Sequence, residues 1–217
     1  IVKWAEIDLV LLDLDGTLLD LNFDNCFWNY YLPMEYAKTL SIPDNQAIDI
    51  IRKSLDSKLG TLSWYDIDYW SERFNIDIAK IKLKFSSNVS LRPNAEEFLA
   101  AVRSANKKLV MVTNAHRKVF EIKMGEIDLT DWFDNIIISH ELKAAKESLL
   151  FWKELESRHK LDFQKALLID DNEDVLKIAK SFGVAQVITI ANPDSCQKPK
   201  IKTNYSAISD FSEIMPL

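Results

Sequence analysis

The sequence predicts an α/β protein: a doubly wound parallel sheet in a three-layer sandwich, with an inserted α-helical cap. Three observations carry that expectation. Short apolar runs recur at residues 7–12, 109–112, 136–138, 166–169 and 187–190, and their continuity fits strands buried on both faces of a sheet. Helix-length segments stand between them, and strand–helix–strand repetition implies parallel pairing through right-handed crossovers. The alternation breaks once, over residues 17–90, which show no strand pattern and are rich in aromatic side chains.

The first run, 7–12, gives way abruptly to Asp13-Leu14-Asp15-Gly16. Asp13 is the first polar residue past the carboxyl end of the expected strand, where open α/β sheets place their ligands. Gly16 permits a backbone turn that other residues avoid, so Asp13 and Asp15 can face one cavity. Two neighbouring carboxylates repel, and a hard divalent cation such as Mg²⁺ relieves that repulsion.

Residues 17–90 are expected to form the helical cap, and residues 1–16 with 91–217 the core, with linkers near 20–22 and 86–93. Phe23, Phe27, Trp28, Tyr30, Tyr31, Trp64, Tyr65, Tyr69, Trp70 and Phe74 all fall in the cap. Ile67, Trp70 and Phe74 fit one helical stripe, so most of these rings are expected to be cap core. Asp66 and Asp68, flanking that stripe, are expected to be solvated.

Beyond the cap, a helix is expected from near Pro93, with Phe98, Leu99 and Val102 on its apolar face. The run 109–112 leads into Thr113-Asn114-Ala115-His116, where a hydroxyl and backbone amides at a helix start suit phosphate oxygens. The run 136–138 is followed by Lys143 and Lys146, and a helix is expected over about 146–159. The run 166–169 ends in Asp170-Asp171-Asn172-Glu173-Asp174, with a helix over about 172–182 stopped by Gly183. Adjacent strands would bring Asp170 and Asp171 beside Asp13, whereas Glu173 and Asp174 suit an ordinary helix start.

At 217 residues the chain has room for one good-sized core and a smaller domain, and its 47% hydrophobic and 28% charged residues are those of a soluble globular protein. A net charge of −6 offers no basic stripe, which argues against nucleic acid but allows a small phosphorylated metabolite. Cys26 and Cys196 have neither disulfide-framework nor zinc-site spacing, which fits a reducing cytoplasmic setting. No apolar run nears the roughly 18 residues of a membrane span, no signal peptide is visible, and no obligate protein partner is implied.

A carboxylate pair, a hydroxyl, a lysine and a second carboxylate pair, each at the end of a successive parallel strand, resemble the haloacid dehalogenase superfamily of phosphatases, whose core is Rossmann-like. The resemblance implies that Asp13 is the nucleophile that forms an aspartyl-phosphate and Asp15 the general acid and then base. It implies that Thr113 and Asn114 bind the phosphoryl group, that a lysine neutralises its charge, and that Mg²⁺ is held by Asp13, the Asp15 carbonyl and an acid of the fourth motif. Asp171 matches the direct ligand better, because Gly183 follows it by twelve residues, and Asp170 would support it. Lys146 matches the motif lysine better than Lys143, although the usual Lys-Pro is absent. Asp174 sits one residue short of a frequent further acid. Dehalogenation needs no second Asp at position 15, so Asp15 argues for phosphoryl transfer.

Four further stretches, 19–25, 62–72, 113–116 and 192–195, resemble the bacterial GMP/IMP 5′-nucleotidases of that superfamily. This implies a purine nucleoside monophosphate as substrate. Trp64 or Tyr65 would stack on the base and Asn25, Asp24 or His116 would contact ribose or base, unless these residues only hold cap to core. Another small phosphate ester, such as phosphoglycolate or a sugar phosphate, remains the alternative substrate for a phosphatase or phosphomutase. A receiver-like phospho-acceptor module fits less well, being about 120 residues and lacking a cap.

Overall fold

The computed structural model describes residues 2–216. Its sheet has six strands, β1 (Leu9–Leu12), β2 (Lys108–Thr113), β3 (Asn135–Ile138), β4 (Ala166–Ile169), β5 (Gln186–Ile190) and β6 (Ala207–Ile208), in the order β3-β2-β1-β4-β5-β6. All five pairings are parallel. The five expected strands are present within a residue or two of their apolar runs, and β6, only two residues long at the sheet edge, had no run to announce it.

Side chains alternate across the sheet, so β1 sends Val10 and Leu12 to one face and Leu9 and Leu11 to the other. Helices α6 (Ala95–Ser104) and α7 (Arg117–Glu126) cover the first face through Phe98, Leu99, Val102, Phe120 and Met124. Helices α8 (Leu149–His159) and α9 (Glu173–Phe182) cover the second through Trp152, Leu155, Val175 and Leu176. This is the three-layer sandwich the sequence predicts. Two helix starts differ from expectation for local reasons. Asn94, at φ 57°, turns the chain into α6 two residues after Pro93. The Ser148 side chain accepts from the Leu150 amide and so starts α8 at Leu149, leaving Lys146 in the preceding loop. Asn172 caps α9, and Gly183, at φ 121°, ends it as expected.

Residues between β1 and α6 carry α1 (Asn22–Cys26), a π-helical turn (Phe27–Tyr31), α2 (Leu32–Leu40), α3 (Asp44–Asp56), α4 (Ile67–Phe74) and α5 (Ile78–Lys84). These helices bury their own cluster of Phe27, Leu32, Ile51, Ile67, Trp70, Phe74 and Ile78, against which Ala115 and Val119 at the start of α7 are packed. The expected stripe of Ile67, Trp70 and Phe74 is fully engaged there. Phe23 packs in the sheet's cluster, as do Leu18 and Leu19, and Leu19 bridges to both Asp15 and Leu91. Among the described residues no helix is long and apolar enough to cross a membrane.

Trp70 is completely buried, and its Nε1 donates to the Trp64 carbonyl at 3.0 Å. Trp70→Ala is therefore expected to lower unfolding free energy by about 3–5 kcal/mol in a urea titration; a loss below about 1 kcal/mol would show that this cluster contributes little to folding.

Candidate active site

The carboxyl ends of β1, β2 and β4 open on one cavity of about 310 Å³, roofed by the inserted helices. Backbone pairing fixes the register there: the Asp13 amide donates to the Ile169 carbonyl at 3.1 Å, and the Asp170 amide to the Ile188 carbonyl at 3.2 Å. Each acid therefore leaves its strand at the same level. The Lys146 ammonium donates to Asp13 Oδ1 and to Asp170 Oδ2, both at 2.6 Å, and is buried with them. Thr17 Oγ1 donates to the other Asp13 oxygen at 3.2 Å, and the Asn172 amide to Asp170 at 2.9 Å. Of the two lysines the sequence offers, Lys143 is exposed and off the cavity wall, whereas Lys146 lines it.

Asp171 completes the acidic set. Oxygens of Asp13, Asp170 and Asp171 lie within 4.8 Å of one another. Gly16, at φ 83°, leaves room for it, since a Cβ there would stand 2.7 Å from Asp171 Cγ. Burial pushes the Asp13 carboxyl up to about 7, with Lys146 opposing and Asp170 adding to the rise. Burial and then the neighbouring Asp13 and Asp170 raise Asp171 well above the usual carboxylate range. Lys146, despite burial, is held charged by Asp13 and Asp170. Three acids served by one buried lysine form an all-oxygen donor set short of positive charge, which fits a hard divalent cation.

Asp15 also lines the cavity but faces a different partner. Lys123 of α7 donates to Asp15 Oδ1 at 2.6 Å and to Asp24 Oδ2 at 2.5 Å, and Lys82 of α5 donates to Asp24 Oδ1 at 2.6 Å. Both lysines are 1% exposed. Burial lifts the Asp15 carboxyl to about 6, against the pull of Lys123. The Asp24 carboxyl, although burial raises it, is carried below the ordinary range by the Lys123 and Lys82 ammonium groups.

The remaining predicted residues divide between the cavity and the seams that close it. Thr113 is 1% exposed at the cavity wall, its hydroxyl oxygen accepting from the Ala115 amide at 3.0 Å. The Asn114 side chain is occupied, with Oδ1 accepting from the Lys146 amide at 3.0 Å and Nδ2 donating to Glu147 at 2.9 Å. Asn25 lines the cavity but donates to Asp194 at 2.6 Å, and Tyr65 donates its hydroxyl hydrogen to Glu147. Trp64 and Trp28 form an aromatic part of the wall. His116 caps α7, and its Nε2 lies 3.8 Å from Asp66 and 3.7 Å from Asp68. Asp66 and Asp68 are thus not merely solvated: Asp66 caps α4, and Asp68 pairs with Lys118 at 2.7 Å. Asp174 is exposed and away from the cavity.

Sequence reasoning missed Lys82, Lys123 and Glu147. A signal existed for the lysines, because each occupies an apolar helical position, beside Ile78 and Ile81 in α5 and beside Val119, Phe120 and Met124 in α7. Glu147 stands where the superfamily pattern has proline.

Residues 7–183 match the family of haloacid dehalogenase-like hydrolases. The chain belongs to that family and is an enzyme, a hydrolase of its phosphatase kind. Over 215 residues it is 31% identical to the GMP/IMP nucleotidase YrfG of Escherichia coli strain K12, covering 99% of this chain and 97% of the relative. It is 25% identical over 185 residues to the pyrimidine 5′-nucleotidase YjjG of the same organism, with 80% of each covered. Among solved structures, a HAD phosphatase from Thermococcus onnurineus superposes with a TM-score of 0.77 over 95% of both chains at 19% identity, a likeness of fold.

Two outcomes are expected. Gly16→Ala forces a side chain into a left-handed backbone at a cost of about 1–2 kcal/mol and displaces Asp171, so phosphate-ester hydrolysis should fall about 100-fold while circular dichroism remains native; unchanged hydrolysis would separate Gly16 from the site. Asp24 has a folded-state pKa below its unfolded one, so its contribution is full above the unfolded value, about 3.9, and is lost as pH falls toward the folded value. The stability gap between wild type and Asp24→Asn, measured by chemical denaturation, should therefore narrow below about pH 4; a gap that widens there would contradict the pairing.

Proposed function

We propose that the chain is a Mg²⁺-dependent phosphomonoester hydrolase that works through an aspartyl-phosphate and acts on purine nucleoside 5′-monophosphates, GMP and IMP foremost. The observation that carries the chemistry is the convergence of buried Asp13, Lys146 and Asp170 with half-buried Asp171 at one set of strand ends, with Asp15 on the same cavity wall.

Phosphoryl transfer needs a nucleophile in line with the leaving oxygen and positive charge around the equatorial oxygens. Asp13 supplies the nucleophile: its carboxylate oxygen bonds to phosphorus as the phosphorus–ester oxygen bond breaks. Asp15 gives its proton to the departing nucleoside oxygen, then takes one from the water that attacks phosphorus and frees Asp13. Lys146 and the Thr113 hydroxyl bind phosphoryl oxygens. Asp13, the Asp15 carbonyl and Asp171 would hold Mg²⁺, with Asp170 in support, and the ion would supply charge stabilisation for the transferring group. Asp171 is the better direct ligand because Asp170 is already engaged by Lys146 and the Asn172 amide.

For the substrate, the support is the full-length similarity to the GMP/IMP nucleotidase YrfG together with the aromatic wall of Trp28 and Trp64. The inserted helices act as a lid over the core, and Trp64 is the ring that stacks on the base, since Tyr65 is engaged with Glu147. Asp24, Asn25 and His116 all line the cavity and tie lid to core; Asp24 is saturated by two lysines and Asn25 is held by Asp194 at 2.6 Å, so His116, with carboxylates no nearer than 3.7 Å, is the one we assign to the ribose. Two free thiols fit a cytoplasmic setting.

Phosphate release from a panel of GMP, IMP, AMP, UMP, phosphoglycolate and sugar phosphates tests this reading. GMP and IMP should exceed the sugar phosphates in kcat/KM by about tenfold or more, and chelation of divalent metal should stop release. A panel led by sugar phosphates would refute the purine assignment. Asp13→Asn should abolish turnover with the fold intact; residual wild-type activity would remove Asp13 as nucleophile.

A further inference from the structure

We propose that Glu147 is a positioning residue that makes seating of the inserted helices and assembly of the phosphate site a single event. The inference rests on the phosphatase reading above and adds to it a residue that touches no reacting atom.

Glu147 receives donors from three directions. The Tyr65 hydroxyl reaches it from the inserted helices, Asn114 Nδ2 from the end of β2 at 2.9 Å, and Asn172 Nδ2 from the end of β4 at 3.2 Å. All three donors line the catalytic cavity, whereas Glu147 stands behind them. A carboxylate can accept several such bonds, and charge-assisted ones are the strong ones. Burial and the adjacent Glu147 charge keep the Tyr65 phenol far above its ordinary range, so it stays a donor.

The consequence runs through Asn114. Its Nδ2 is held by Glu147 and its Oδ1 receives the Lys146 amide at 3.0 Å, while the Lys146 carbonyl receives Trp152 Nε1 at 2.9 Å. The backbone of Lys146 is thus clamped on both sides, and its ammonium is delivered to Asp13 and Asp170. Proline in place of Glu147 could supply no acceptor for Tyr65. With glutamate there, the loop that aims the lysine also registers whether the insert is in place.

The test is a double-mutant cycle on Tyr65→Phe and Glu147→Gln, with inorganic phosphate as the probe. Its inhibition constant against p-nitrophenyl phosphate is measured with Mg²⁺ present, and its binding is measured directly by calorimetry. Each single variant should weaken phosphate about tenfold, the worth of one hydrogen bond to a charged group. The double variant should be no weaker than Glu147→Gln alone to within about threefold, because both changes cut the same connection. Glu147→Gln keeps the side-chain shape, and its thermal transition checks that the fold survives; Tyr65→Phe serves the same purpose from the other side. Unchanged phosphate affinity in either single variant, or effects that multiply in the double one, would overturn the proposal. Neither probe carries a purine, so failure on GMP and IMP would refute the substrate assignment alone.

Discussion

Everything at this site depends on where the Lys146 ammonium sits. It neutralises Asp13 from β1 and Asp170 from β4 at once, with 2.6 Å to each. Without it, two buried carboxylates would be forced together in a low-dielectric space, and one would protonate. The fold is arranged to bring the lysine there. Parallel register levels the two acids, the break before α8 frees the loop, and Trp152 and Asn114 hold its backbone.

A second buried ion network, Asp15–Lys123–Asp24–Lys82, continues from the first and crosses into the inserted helices. The two networks divide the labour the chemistry demands. In the mechanism proposed above, one brings positive charge to Asp13, and the other holds Asp15, the group assigned to exchange protons with leaving group and water. Lys82 also lies against the faces of Phe23 and Phe27, at 4.9 and 4.4 Å from the ring centroids, so apolar packing and ion pairing share the same residues. Removing one member of such a buried pair strands its partner, typically at about 3–5 kcal/mol.

The sheet was legible because parallel strands buried on both faces write themselves as unbroken apolar runs, as at 109–112 and 166–169. The acids and Lys146 were legible because each ends such a run or follows one closely. Contacts between the insert and the core were not. Asp66 and Asp68 look like any acids at a helix start, and only the tertiary fold sets them against His116 and Lys118. Lys82 and Lys123 blur the helical period that would otherwise mark a buried face, and Glu147 reads as one charge among many. The nucleotidase resemblance offers Asn25 and either Trp64 or Tyr65 as substrate contacts unless they only hold cap to core, and in the fold Asn25 is bonded to Asp194 and Tyr65 to Glu147, partners far away in the sequence.

The π-helical turn at Phe27–Tyr31 has an evolutionary corollary. Such a turn holds one residue more than the α-helical repeat, and within it Trp28 lines the cavity while Phe27 lies in the interior. Loss of a single codon there would restore a regular helix and swing α1 by about 100° relative to α2. Because α1 carries Phe23 and Asp24, that rotation would repopulate the cavity wall and at the same time draw Asp24 away from Lys123 and Phe23 from the sheet's cluster, so one short deletion would reach both what the cavity admits and the ion network that holds Asp15.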